Sequence, residues 1–248
     1  MTQGIGNKTT QMKIEIIKDG PYYVSGGVPL VRKTQIVSEH GEPLTWKKEG
    51  TTECDEEYAL CRCGQSANKP FCDGTHHQAP FDGSERADTS PREPGLIGLN
   101  FGRKIVVERD ASVCMLSGFC GFENTSLPAL VSRANEDTQV RALVIAIVER
   151  CPSGALTYRL DAEEPDIEPD LPLQIAETIE ITEYGPIRGP LWVTGGIAVE
   201  RADGKPFESR NRVTLCNCGK SGNKPLCDGT HRANEEREAR EKGRGEGE

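Results

Sequence analysis

Three cysteines and one histidine recur at one spacing in two places along the chain. Cys61, Cys63, Cys72 and His76 form the first set, and Cys216, Cys218, Cys227 and His231 form the second, each member 155 positions after its counterpart (216 − 61 and 231 − 76). The strings that carry them run Cys61-Arg-Cys63-Gly-Gln-Ser66-Ala-Asn68-Lys69-Pro70-Phe-Cys72-Asp73-Gly74-Thr75-His76 and Cys216-Asn-Cys218-Gly-Lys-Ser221-Gly-Asn223-Lys224-Pro225-Leu-Cys227-Asp228-Gly229-Thr230-His231. Sulfur ligands with one imidazole suit iron–sulfur clusters or zinc. One intervening residue lets both sulfurs of Cys-x-Cys reach the same metal from a single loop. The four-residue step from Cys72 to His76 is about one helical turn and puts both on one side if a helix starts there. Asp73 and Thr75 are N-cap candidates for that helix, and Gly74 gives the backbone room beside a metal group. Ser66 and Ser221 are expected to donate hydrogen bonds to sulfur, and Pro70 and Pro225 to stiffen the loops.

A second grouping lies between the copies: Cys114-Met-Leu-Ser117-Gly-Phe-Cys120, followed by Cys151-Pro152. These three thiols are either metal ligands or small buried apolar residues. Cys54, in an acidic stretch, reads as a free thiol, and His40 and His77 as surface residues. Zinc in Cys3His sites is the alternative for the repeated sets. Disulfide scaffolding suits them poorly, since three cysteines per set leave one unpaired. No nucleophile–base pair, phosphate loop or substrate motif accompanies the cysteines, so no catalytic residue is assigned.

The elements that must position these ligands are short. The chain has 248 residues, 35% of them hydrophobic and 5% aromatic. That length allows two or three small domains with thin cores, which metals or disulfides often stabilise. No stretch approaches the ~20 apolar residues of a membrane span, and the first residues lack a signal-peptide core, so a cytoplasmic, reducing setting without membrane attachment is expected. A net charge of −9 argues against sequence-independent nucleic-acid binding. The repeat extends upstream: Ile14-Glu-Ile16 and Gly20-Pro through Gly26-Gly27 are echoed by Ile179-Glu-Ile181 and Gly189-Pro through Gly195-Gly196. Glycine-punctuated apolar runs predict strands joined by tight turns. The first copy carries extra residues, placed near 49–58, including Cys54. In the middle, Ile105–Val107 and Ala155–Arg159 predict strands, and Val140, Leu143, Val144, Ile147 and Val148 recur at helical spacing. The expected units are 12–78, 96–160 and 174–232, joined by linkers 79–95 and 161–173, with a charged tail 233–248 expected to be disordered.

The repeated string resembles the CDGSH iron–sulfur domain of the NEET proteins. Both copies match its pattern of Cys-x-Cys, a Ser, a Pro and Cys-Asp-Gly-Thr-His. The resemblance implies a [2Fe–2S] cluster in each copy, bound by Cys61, Cys63, Cys72 and His76 and by Cys216, Cys218, Cys227 and His231. It also implies that the Cys-x-Cys sulfurs hold the inner iron and the last Cys and His the outer one. Family members are intertwined homodimers, so two copies in one chain imply an internal pseudo-dimer. The middle segment resembles single-cluster bacterial ferredoxins and a divergent mono-cluster domain, with Ser117 where the second cysteine is usual. That departure implies a [3Fe–4S] cluster on Cys114, Cys120 and Cys151, or a [4Fe–4S] cluster with a further ligand, against a remnant that has lost its cluster. The expected fold class is α+β: two small β-rich CDGSH units forming the pseudo-dimer and a small ferredoxin-like α+β unit.

The function this implies is electron transfer or redox sensing without enzymatic activity, through redox partner proteins. Donation of [2Fe–2S] clusters to apo-acceptors is the alternative, and service as the electron-supplying subunit of an oxidoreductase is a third. Replacing one anionic thiolate by imidazole makes a cluster less negative and easier to reduce, and gives it a ligand that acid can detach. His76→Cys or His231→Cys is therefore expected to lower the reduction potential of its own cluster and slow its loss in acid. A redox titration and acid-decay rates check this, and unchanged values would contradict it.

Overall fold

The computed structural model describes residues 11–90, 104–121, 125–234 and 237. The first repeat forms β1 (Lys13–Ile16), β2 (Tyr22–Ser25), β3 (Leu30–Val37), β4 (Pro43–Thr52) and β5 (Tyr58–Leu60). The middle segment forms β6 (Val106–Arg109), α1 (Leu127–Arg133), α2 (Thr138–Glu149) and β7 (Leu156–Arg159). The second repeat forms β8 (Gln174–Thr182), β9 (Gly185–Thr194), β10 (Ala198–Glu200) and β11 (Arg212–Leu215). The result is sheet-rich, with two short α-helices in the middle segment.

The strands assemble as a four-stranded sheet β10-β1-β2-β5, a five-stranded sheet β11-β9-β8-β3-β4, and a pair β6-β7. Each repeat thereby gives one strand to the other's sheet: β10 runs parallel to β1, and β3 parallel to β8. The physical reason is size. Strands β1, β2 and β5 have only three or four residues each, and so small a sheet has too little surface to bury alone. In β1 and β2 the side chains of Ile14, Ile16, Tyr22 and Val24 face inward while Lys13, Glu15 and Tyr23 remain partly exposed, the alternation that a half-buried sheet requires.

The register corrects the expected repeat phase. Ile14 lies opposite Val24 and beside Val199, just as Ile175 lies opposite Val193 and beside Leu30. Ile175, not Ile179, is therefore the counterpart of Ile14. Isoleucines at 175, 179 and 181 all keep the period of two, so the pattern alone admits either phase. The hairpin β8–β9 continues past the equivalent of β1–β2 to a pairing of Thr182 with Gly185. The extra length of the first repeat is spent on β4, an edge strand in the sheet with no counterpart in the second repeat. Lys47 and Lys48 along it discourage edge-to-edge association.

One contiguous apolar core joins both repeats and the middle segment, running from Ile14, Leu30 and Leu60 through Val107, Val131, Val144 and Val148 to Ile175, Val213 and Leu215. Three separate thin cores were expected, and merging them raises the buried fraction. Asp137 caps α2, accepting hydrogen bonds from Gln139 N at 2.9 Å and Val140 N at 3.2 Å, and Val140, Val144, Ile147 and Val148 form its buried face, with Leu143 at the margin. Helix α1, with Pro128 in its first turn, escapes the sequence reading because seven residues are too few for a clear period. Residues 79–90 lack regular structure but are pinned, with Arg201 Nη1 donating to Ala87 O at 3.1 Å and Ala87 N to Lys224 O at 2.9 Å. The tail from 238 onward lies outside the described residues.

Arg212 ties the middle segment to the second repeat. Its buried guanidinium donates to Glu149 O at 2.5 Å and Leu156 O at 3.1 Å and pairs with Glu168 at 3.1 Å. Arg212→Ala would leave the Glu149 and Leu156 carbonyls without a partner, at a cost of about 1–3 kcal/mol each. Denaturant unfolding is expected to register that loss, and a change below about 1 kcal/mol would contradict the assignment.

Candidate metal centres

Each cysteine loop leaves the end of a short strand and folds back on it. After β5, Cys61 N donates to Pro70 O at 2.8 Å and Cys72 N to Ala59 O at 2.9 Å; after β11, Cys216 N donates to Pro225 O at 2.8 Å and Cys227 N to Thr214 O at 2.9 Å. The peptide bonds to Pro70 and Pro225 are both cis. Ser66 Oγ donates to Phe71 O and Ser221 Oγ to Leu226 O, each at 2.7 Å. They also accept from Asn68 N and Asn223 N at 3.0 Å. The serines thus brace the loops, where hydrogen bonds to sulfur were expected.

Asp73 accepts from Ala67 N at 2.8 Å and Thr75 N at 3.0 Å, and Asp228 does the same with Gly222 N and Thr230 N at 2.8 and 3.0 Å. The hydrogen bonds from Thr75 and Ala67 hold the Asp73 carboxyl well below the usual carboxylate range. In the first copy only a 3-10 turn, Thr75–His77, follows, led by Gly74 in the left-handed region at φ 86°. A helix in the second copy starts at Thr230. Cys72 and Cys227 precede these turns, so the expected shared helix face is replaced by a loop that brings sulfur and imidazole together.

The candidate ligands meet in pairs. Sγ of Cys61 lies 3.8 Å from Sγ of Cys63, and Cys72 Sγ lies 3.4 Å from His76 Nδ1. The second copy repeats this, with Cys216 and Cys218 at 3.7 Å and Cys227 and His231 Nδ1 at 3.4 Å. Among the described residues no three His, Cys, Asp or Glu side chains close on a single metal position. A lone tetrahedral zinc ion needs four donors on one point. The two-by-two donor set fits an iron–sulfur cluster better.

Burial pushes the thiols of Cys63 and Cys227 up. Within the second pair the Cys218 hydrogen bond draws Cys216 down to about 6, while the same bond and burial push Cys218 up. Cys63, Cys218 and Cys227 therefore hold protons that metal binding must displace. Burial also lowers His76, whose ring packs at a tilt against His77 with centroids 4.0 Å apart. His77 is exposed, as the sequence suggests, but the sequence reading missed its place beside His76. It missed Glu180 as well, a buried carboxylate whose Oε2 lies 3.2 Å from Nε2 of His231. Only the adjacency of His76 and His77 hinted at the first of these; nothing local hinted at the second.

The two Cys-x-Cys loops face each other. Gly64 packs against the Cys218 carbonyl and Gly219 against the Cys63 carbonyl, both glycines in the left-handed region at φ 78° and 76°. A cavity of about 510 Å³ opens between them, with Cys63, Cys218, Lys69, Lys220 and Arg188 in its wall. In the middle segment Cys114, Cys120 and Cys151 line a second cavity, of about 410 Å³, together with Arg109 and Ser117. Cys151 is buried, Cys114 partly buried and Cys120 exposed. Cys54 is exposed, as is His40.

Family models match the chain in the same three places. The iron-binding zinc finger of CDGSH type covers residues 19–77 and 188–232, and the divergent 4Fe-4S mono-cluster covers residues 101–161. The chain carries two CDGSH domains flanking a divergent mono-cluster domain. It is an iron–sulfur protein. Comparison with curated proteins and with solved structures found no match.

The glycine contact between the CDGSH loops is open to direct test. Gly219→Ala places a Cβ into the Cys63 carbonyl and costs about 1–2 kcal/mol from its left-handed backbone alone. Iron content is expected to fall with it. Gly222→Ala, whose Cβ meets only Asp228 Oδ2 at 3.5 Å, is expected to retain iron. Equal iron in the two variants would contradict the contact's role.

Proposed function

We propose that the protein is a multi-centre electron-transfer or redox-sensing protein, without a substrate reaction of its own, that carries two [2Fe–2S] clusters. The observation that carries this reading is the pairing of donors. Cys61 with Cys63 and Cys216 with Cys218 would hold one iron of each cluster; Cys72 with His76 and Cys227 with His231 would hold the other. When bound, such a cluster supplies one-electron transfer at a potential set by its ligands, charge and exposure. The protein's residues hold the ligands rigid and limit water: Cys61, Cys63, Cys216 and Cys227 are all buried. A rigid, dry site keeps reorganisation small when charge changes.

The strand exchange between repeats supports reading them as an internal pseudo-dimer, with the middle segment as a ferredoxin-like α+β unit. That unit would hold a third cluster, [3Fe–4S] or [4Fe–4S], on Cys114, Cys120 and Cys151. The shared cavity of these three thiols supports the assignment, and Arg109, whose Nη2 lies 3.9 Å from Cys114 Sγ, would offset the cluster's negative charge. Ser117 lines the same cavity where a fourth ligand would stand. Partners would be redox proteins of a cytoplasmic, reducing compartment; no helix among the described residues is long and apolar enough to cross a membrane. One observation favours cluster donation as a second reading: Cys72 and His76 are partly exposed, which suits release to an apo-acceptor.

Iron and acid-labile sulfide per chain in anaerobically purified protein test the count. About seven or eight irons are expected. About four would leave the two CDGSH clusters and remove the third, and zinc in place of iron and sulfide would overturn the reading.

A further inference from the structure

The two CDGSH sites differ in what stands behind the histidine. His231 is buried, with Nδ1 toward Cys227 and Nε2 3.2 Å from Oε2 of Glu180. Glu180 is itself fully buried and pairs with Nε of Arg232 at 2.5 Å, and Arg232 Nη2 donates to Ser117 O of the middle cysteine loop at 3.2 Å. Glu180 reaches this place because β8–β9 runs on beyond the length of β1–β2, pairing Glu180 with Ile187. Gly189 on β9 leaves the room: a Cβ there would overlap Thr178 Oγ1 and come within 3.1 Å of Glu180 Cγ and Oε1. In the first repeat β1 stops at Ile16. Among the described residues no carboxylate pairs with His76; its neighbour is the ring of His77.

We infer that Glu180 is a positioning residue that makes the two CDGSH sites unequal, fixing His231 with Nδ1 toward the metal and Nε2 toward the carboxylate. The inference rests on the cluster assignment above. A carboxylate behind a ligating imidazole fixes its tautomer and ring angle and raises its basicity, and removing such a partner typically costs 10–100-fold in metal affinity. Negative charge and burial beside a cluster both disfavour the added electron. The second site is therefore the tighter and lower-potential one, and the first site the one that gives up its cluster and accepts an electron sooner.

Glu180→Gln keeps the shape and removes the charge. In protein whose iron and sulfide content matches that of the parent, a redox titration followed by EPR is expected to show one component shifted to higher potential and the other unmoved. Loss of visible absorbance to a ferrous chelator should become about tenfold faster in one phase only. The component that moves is the one that His231→Cys also moves, and in the double variant His231→Cys/Glu180→Gln the tenfold effect should fall below about twofold, because the imidazole through which Glu180 acts is gone. Gly189→Ala, which displaces the carboxylate sterically, should repeat the Glu180→Gln pattern and keeps the test alive if that variant folds poorly. Cluster-loaded variants with both components unmoved, or with both moved alike, overturn the inference and leave the cluster assignment standing. Absence of iron and sulfide from the parent protein overturns the assignment itself, and the inference with it.

Discussion

The backbones of two cysteine loops touch at Gly64 and Gly219, where each glycine lies against the carbonyl of a cysteine from the other repeat. No side chain fits there, so both loops need glycine, and both glycines hold a backbone that other residues resist. This contact requires the repeats to face each other at fixed distance. Strand exchange meets that requirement, because β10 cannot leave β1, nor β3 leave β8, without exposing both sheets. Tyr22 adds a third tie: its hydroxyl donates to Cys216 O at 2.7 Å and reaches Pro225 O at 3.2 Å. A ligand loop of the second repeat is thus held by a strand of the first.

The two repeats pair their strands alike but are not equal. Leu191 holds in β9 the register position that Tyr22 holds in β2, so the Tyr22 tie has no mirror image. The middle domain favours the second site as well. Asn223 Nδ2 donates to Ser112 O at 2.6 Å, Arg210 pairs with Asp110 at 3.2 Å, and a Cβ on Gly229 would come within 2.8 Å of Met115 O. The middle cysteine loop therefore lies directly on the Asp228–Arg232 turn that carries His231. These contacts explain why His231 is buried while His76 stays partly exposed.

The cysteine and histidine pairs were legible in the sequence because their spacing is local: a step of two positions from cysteine to cysteine and of four from cysteine to histidine leaves little freedom. Helix α2 and strands β6 and β7 were legible for the same reason, since period and turn residues act over a few positions. The exchange of β3 and β10 was not, because parallel pairing between distant strands leaves no mark in composition. Ile14-Glu-Ile16 found a false echo at Ile179 because β8 repeats isoleucine at compatible positions. Ser66 and Ser221 sit close enough to sulfur in sequence to suggest a bond, yet the turn aims each hydroxyl at a carbonyl. Glu180 lies far from His231 along the chain, and only the extra length of one hairpin brings them together.

Coordination of iron by imidazole nitrogen is the claim on which the rest depends, and pulsed EPR of the reduced protein reads it directly. Strong hyperfine coupling to a ring nitrogen is predicted, reduced by His76→Cys and by His231→Cys singly and abolished by the two together. A reduced protein containing iron and sulfide but showing no nitrogen coupling would contradict the account.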